Sequence, residues 1–328
     1  MRFPLTFAGI LVASAAIADA PVLTIYTYDS FVSEWGPGPV IEANFEATCA
    51  CDLQFVGLGD GASLLARLRL EGSGSDADIV LGLDTNLIAT ASETGLFAAH
   101  GQGDLDNDLP VTWTDPIFVP YDWGHFAFVY DSTRLEVPPT SFRDLADSDV
   151  SILIQDPRSS TPGLGLLMWV KDVYGDEAGD IWADLADNIV AVTPGWSEAY
   201  GLFLEGEAEM VLSYTTSPAY HLIAEGDATK AAAAFDEGHH IQIEVVAKLS
   251  GSDEPELADA FLRFVSEPGF QSVIPTTNWM YPAVTPANGL PDGFETLLVP
   301  ETTHLIDPVS VPVLRETALS EWLSALSR

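Results

Sequence analysis

An α/β protein of two lobes sharing one cleft is the fold class this sequence predicts, and three observations predict it. Short apolar strands alternate with amphipathic helices, the pattern of helices layered on a largely parallel sheet. The chain has 328 residues, more than one core usually serves. No Ser/Gly/Pro-rich linker divides it into halves. Two α/β units must then share the chain by crossing over more than once, and the space between them is the natural ligand site.

The elements follow in order. Residues 22–27 are apolar and β-branched, a first strand. Residues 39–48 have helical spacing, 53–56 read as strand, and 62–71 as a helix offering Leu64, Leu65, Leu68 and Leu70 to the core. Strands are expected at 78–81 and 126–130, a helix entry at the Pro-Pro-Thr-Ser of 138–141, a strand at 152–154 and a helix over 161–173. The pattern then repeats as strand 209–213, helix 218–225, strand 241–247 and helix 257–265, the last with Leu257, Phe261, Leu262 and Val265 on its apolar side.

Composition narrows the function. Twelve Lys and Arg oppose 49 Asp and Glu, a formal net charge of −37. Nucleic acid is excluded as a partner, because a phosphate-backbone binder needs a basic stripe. Disorder is excluded too, since 47% of residues are hydrophobic and 8 Trp and 16 Phe can fill a core. So acidic a surface, with only Lys171, Lys230 and Lys248 as lysines, reads as adaptation to salt. At the start, Arg2, an apolar run over 3–16 and Ala16-Ile17-Ala18 read as an export signal ending at 18, too short to span a bilayer. The mature protein is expected to be exported and soluble, and in a Gram-negative bacterium periplasmic. Cys49 and Cys51 share one Thr-Cys-Ala-Cys segment. Export favours a small structural disulfide there, which needs a turn, because a plain strand holds alternate Cα atoms too far apart.

The segments able to carry chemistry are turns. Ser159 to Gly165 follows a strand and opens a helix, where Ser160 or Thr161 can cap, Pro162 suits the first turn, and exposed N–H groups favour a phosphate or hydroxyl. Tyr214-Thr215-Thr216-Ser217-Pro218 repeats that design. An ordinary capped helix explains either segment alone, and two copies facing one cleft make a binding floor. Aromatics gather beside Gly and Pro: Tyr28, Trp35, Trp123, Trp196 and Trp279 suit walls for a flat ligand, a flat cation above all, although core packing accounts for some of them. Trp113 and Trp182 read as structural. Asp60, between two glycines, reads first as a helix cap and second as a carboxylate for an amine or cationic ring. The six histidines show no metal-ligand spacing, and no Gly-x-Ser-x-Gly elbow supports a hydrolase. No catalytic residue, metal or cofactor is expected.

Together these segments resemble the periplasmic thiamine-binding proteins of bacterial ABC importers. The resemblance runs nearly end to end: TIYTYDSF (24–31), EWGPGPV (34–40), DGASLLARLRLEG (60–72), DIVLGLD (78–84), QDPRSSTPGLGLL (155–167), GWSEAYGLFLEGE (195–207), VLSYTTSPAYH (211–221) and IPTTNWMYP (274–282). It implies a two-lobed type II periplasmic-binding fold, with 19–125 plus 243–290 in one lobe and 126–242 plus 291–328 in the other. It implies a site of Asp60, Gly61, Ser160, Thr161, Trp196, Tyr214, Thr215, Thr216 and Ser217, with Tyr28, Trp35, Tyr220 and Trp279 as further cleft aromatics. The ligand implied is thiamine, its mono- or diphosphate, delivered to a permease and through it to an ATPase by a monomeric, non-enzymatic protein. A thiaminase-like enzyme is the rival from another class. It needs a nucleophilic cysteine beside a base, and only Cys49 and Cys51 exist. A polyamine or ferric-ion binder of the same fold also stays open, although ferric sites of this fold usually use adjacent tyrosines and Tyr214 and Tyr220 are six apart.

Overall fold

The computed structural model describes residues 20–327, so the segment read as an export signal lies outside the described residues. Nine strands carry the architecture: β1 (Val22–Thr27), β2 (Asp52–Gly57), β3 (Ile79–Asp84), β4 (Val119–Asp131), β5 (Ile152–Gln155), β6 (Ile189–Thr193), β7 (Met210–Tyr214), β8 (Lys230–Ala232) and β9 (His239–Lys248). They pair in the order β2-β1-β3-β9-β4-β7-β5-β6, with β8 beside β4. Each flank is parallel: β1 pairs with β2 and β3, and β5 with β6 and β7. The centre is antiparallel, because β9 runs against both β3 and β4, and β4 against β7. The largely parallel sheet expected from β-α alternation therefore holds only outside the two crossing strands.

Those two strands organise the molecule. β4 is 13 residues long and pairs with β9 over Val119 to His125, then with β7 over Phe126 to Tyr130. Sequence reading reached only its second part, because Tyr121-Asp122-Trp123-Gly124 has turn composition; here Tyr121 and Asp122 are fully buried in the sheet. β9 is sealed among β3, β4 and the helices packed on it. His239 and His240, adjacent on this strand, point to opposite faces and serve structure. His239 Nε2 accepts from the Phe235 N–H at 3.1 Å while Nδ1 meets the Phe126 carbonyl at 2.7 Å, and His240 Nε2 lies 3.3 Å from Asn86 Oδ1.

The helices mostly follow their apolar faces. The Gly61–Glu71 helix buries Leu64, Leu65 and Leu68 at i, i+1, i+4 spacing, whereas Leu70 falls off that face and is 82% exposed, contrary to expectation. Thr161–Tyr174 buries its first eleven residues, with Trp169 and Trp182 in the main core. The longest helices to escape sequence reading are Ala178–Leu185, Trp196–Glu205 and Val311–Leu326. The second was hidden by Pro194-Gly195, which looks like a loop but supplies an extended N-cap; Gly206 ends the helix in the left-handed region at φ 89°. Cys49 and Cys51 form a disulfide across the turn after the Gly38–Glu46 helix, with Cα atoms 5.4 Å apart, an ordinary separation for such a bond.

Candidate functional site

The first turns of three helices meet at a cavity of about 520 Å³ lying against β7 and β9, a size suited to a small organic ligand. Asp60, Thr161 with Pro162, and Trp196 with Ser197 stand at the N-termini of Gly61–Glu71, Thr161–Tyr174 and Trp196–Glu205, and all five line it. Helix N-termini carry unpaired N–H groups and positive partial charge, so the arrangement suits an anion or hydroxyl.

Asp60 ties these turns together. Its Oδ2 accepts from Ser160 Oγ at 2.7 Å and from the Trp196 backbone N–H at 3.2 Å. Burial raises its carboxyl to about 6 although both donors oppose the shift. Asp60 has extended backbone at the N-cap, but its side chain does not cap its own helix. Ser160 likewise caps nothing with its hydroxyl and spends it on Asp60.

Aromatic rings make the walls. Trp35 and Trp196 lie tilted to each other with ring centroids 6.3 Å apart, and Trp196 stacks on Tyr200 at 5.0 Å while its indole N–H donates to Ser213 Oγ at 2.8 Å. Tyr214 stacks on Phe126 at 5.2 Å and donates to Gln242 Oε1 at 2.8 Å. Tyr220 and Trp279 meet edge to face at 5.4 Å. Trp279 is the non-glycine residue with positive φ, 56°, among the described residues, a conformation rare for a bulky side chain and held here at a cavity wall. Tyr28 enters because Gly82 has no side chain: a Cβ there would sit 2.3 Å from the Tyr28 ring.

Glu244 puts a second acid in the lining. Tyr28 and Tyr121 both donate to Oε2 of Glu244, at 3.0 and 2.6 Å, and Asn278 Nδ2 donates to Asp122 Oδ2 at 2.6 Å and to the Tyr28 hydroxyl at 3.0 Å. Burial raises Glu244 to about 7 against the pull of the two hydroxyls, and burial followed by the charge of Glu244 pushes Asp122 well above the usual carboxylate range.

Of the residues singled out by sequence, Tyr28, Trp35, Asp60, Thr161, Trp196, Tyr214, Ser217, Tyr220 and Trp279 line the cavity. Four do not: Gly61, Ser160, Thr215 and Thr216. Gly61 donates its N–H to Thr161 Oγ1 at 3.0 Å and allows that approach, since a Cβ would come within 2.6 Å of the same oxygen. Ser160 holds Asp60. Thr215 is wholly buried behind the lining, and Thr216 is buried with its hydroxyl on Met280 Sδ at 3.5 Å. The hydroxyl of Ser217, although at the cavity, braces its own turn through Ser213 Oγ at 2.7 Å and the Tyr214 N–H. Trp123 is elsewhere, stacked on Tyr281 at 4.6 Å. Sequence reading missed Tyr200, Gln242, Glu244, Asn278 and Met280, all lining residues. Among the described residues one group could approach a metal, His221 with Glu225 and Asp227. Its atoms are engaged, however: His221 meets Glu225 at 2.7 Å and the Tyr200 hydroxyl at 3.0 Å, and Asp227 accepts from Lys230 and Thr229.

Comparison with known proteins agrees with this geometry. Residues 34–272 match the family model of bacterial extracellular solute-binding proteins. The thiamine-binding periplasmic protein of Escherichia coli K12 is 53% identical over 321 residues, covering 97% of this chain and 98% of that one. Its counterpart in Haemophilus influenzae is 40% identical, covering 97% and 96%. A solved periplasmic thiamin binding protein superposes with a TM-score of 0.92 at 52% identity, covering 98% of this chain and all of that one. Iron-bound HitA from Pseudomonas aeruginosa, at 19% identity, TM-score 0.76 and coverage of 93% and 99%, shares the type II fold. This chain is thus a member of the bacterial extracellular solute-binding proteins and, among them, of the family of periplasmic thiamine-binding proteins.

Proposed function

We propose that this protein is the periplasmic receptor of an ABC importer and that it captures thiamine for the membrane permease. One observation carries the reading: a single cavity joins three helix N-termini, aromatic walls and a buried carboxylate, which are the three things a hydroxyethyl-bearing cationic heteroaromatic molecule requires. Kinship at 53% identity over nearly the whole chain supports the same ligand. The aromatic faces would hold the rings. The lining at Asp60, Thr161 and Ser197 would take the hydroxyethyl group or, in the mono- and diphosphate, the phosphate.

Closure of two lobes, 19–125 with 243–290 against 126–242 with 291–328, belongs to the proposal. The bonds of Asp60 to Ser160 and Trp196, and of Gly61 to Thr161, would then be contacts made on closing. The protein would act as a monomer, and the ATPase would be reached through the permease. A non-catalytic role is supported by the cysteines: both are in the Cys49–Cys51 disulfide, packed beside the core that holds Leu23 and Phe45, and neither lines the cavity.

Native mass spectrometry with calorimetry tests the reading. Thiamine should bind one per monomer, and its phosphates should compete for the same site. Absence of thiamine binding by folded protein would overturn the assignment. Free pyrimidine product, formed on incubation with thiamine and a nucleophile, would overturn the non-catalytic part alone.

A further inference from the structure

Three buried carboxyls lie side by side in the middle of the sheet. In register, Asp84 on β3 is the direct partner of Glu244 on β9, and Glu244 is the direct partner of Asp122 on β4. Their residues are exposed by 0%, 5% and 0%. Like charges placed opposite one another on adjacent strands repel, and an ionised carboxylate removed from water is unfavourable unless something compensates it. Little does so here. No lysine or arginine forms an ion pair with Glu244 or Asp122 among the described residues. The charge of Arg315, on the Val311–Leu326 helix, acts on Asp84.

The groups facing Glu244 are all acids, phenols or amides: Asp122 and Tyr121 from β4, Asp84 from β3, Tyr28 after β1, and Asn278. On the helices packed against β9, Lys171 is paired with Glu321 and Lys248, at the end of β9, with Asp259. The histidines of the two crossing strands stay neutral, because burial lowers His125 and His239 to about 4 and His240 to about 3. In the empty protein the row must therefore be neutralised by protons. Of the three carboxyls only Glu244 lines the cavity. Asp122 is its register partner on β4, and Asp122 Oδ1 has no hydrogen-bond partner.

We propose that Glu244 is the specificity-determining counter-charge for a permanently cationic heteroaromatic ring, and that the Glu244–Asp122 pair releases a proton when such a ring enters. This rests on the thiamine reading, whose thiazolium is such a ring, and deepens it. The ring cannot carry a proton of its own to the site. Its charge stabilises the carboxylate, one carboxyl O–H bond breaks, and the proton passes to solvent. The charge of the site is the same before and after. A neutral ring of the same shape gains nothing from this exchange.

Calorimetry of thiamine binding, in buffers of different ionisation heat, counts the protons directly. About one proton should be released at pH 6 and close to none at pH 9, with affinity rising up to about tenfold per pH unit between them. Glu244→Gln should abolish the release and weaken thiamine at least tenfold at pH 8. The same variant should hold an uncharged analogue, with thiophene in place of thiazolium, within about threefold of wild type, since only the charged ring draws on the carboxylate. Asp122→Asn, which keeps the carboxylate at the cavity, should reduce the release and serves if Glu244→Gln does not fold. Thiamine binding with no proton released overturns the inference and leaves the ligand assignment standing. Release that persists in Glu244→Gln points to Asp60, the other acidic lining residue, and overturns it equally. Failure of folded wild-type protein to bind thiamine removes the ligand assignment and this inference together.

Discussion

Two carboxylates line the cavity, half-buried Asp60 and buried Glu244, and the fold treats them differently. Asp60 is met by two donors, one hydroxyl and one backbone N–H, at the junction of three helix N-termini. Glu244 is met by two phenols, yet stands in a row with two more acids. Around Asp60 the two donors and the helix N-termini offset part of the burial that raises its carboxyl to about 6, and the carboxylate is a latch between segments. Around Glu244, nothing in the chain supplies positive charge, so the ligand must. A buried acid is therefore structural or selective according to whether the fold completes its neutralisation.

The largest effect should come from breaking the latch. Asp60→Ala removes the acceptor of both Ser160 and Trp196. It should weaken thiamine by at least thirtyfold, about 2 kcal/mol, given the strength of hydrogen bonds to charged groups. Titration calorimetry checks this, and circular dichroism shows that the fold persists. Next come the walls. Trp196→Ala or Tyr214→Ala should cost at least tenfold, about 1.4 kcal/mol, through lost stacking. Unchanged titrations for both would show that the site has been misplaced.

The same contrast explains what could be read in the sequence. The surroundings of Asp60 were legible because turn chemistry is local: glycines around an acid, hydroxyls before Pro162, and an apolar strand before each turn all lie within a few residues. Those of Glu244 were not. In β9 the polar His240, Gln242 and Glu244 alternate with Ile241, Ile243 and Val245. Such alternation ordinarily marks a strand with one face in water. Only the packing of distant segments over β9 shows that this polar face is enclosed, and such packing is a long-range fact. Fold legibility divides likewise. The strands of the parallel flanks were recognisable from their own residues, whereas the change of partner along β4 at His125 and Phe126 depends on β7 and β9, far away in the chain.

A third prediction separates the two acids by stability. The Glu244 carboxyl is raised from 4.5 to about 7 in the folded protein, chiefly by burial. Below pH 4.5 folded and unfolded chains are both protonated, and the group is neutral to stability. As pH climbs towards 7 the unfolded chain ionises first, so folding becomes progressively less favourable, and the penalty is complete above 7. Glu244→Gln should therefore raise the melting temperature of the empty protein at pH 8, by the equivalent of about 1 kcal/mol, and leave it unchanged at pH 4. Removing Asp60 has no such gain to offer, because its two donors are left unmatched.

The smallest effect concerns the net charge of −37. Were that charge the source of affinity for a cation, salt would weaken binding steeply. Exposed charges are screened beyond about 8 Å at physiological ionic strength, whereas a contact inside an aromatic-walled cavity is shielded from mobile ions. Glu244, 5% exposed, lies in the second regime, and most of the 49 acidic residues lie in the first. Thiamine affinity should then change by less than about threefold between 0.15 and 1 M salt. The diphosphate should behave oppositely at low salt. Its anionic end is repelled by the acidic surface until ions screen it, so its affinity should rise with salt before levelling off. A steep fall for thiamine would move the recognition of its charge from Glu244 to the surface, and Glu244 would lose its distinction from Asp60 as the selective acid of the cavity.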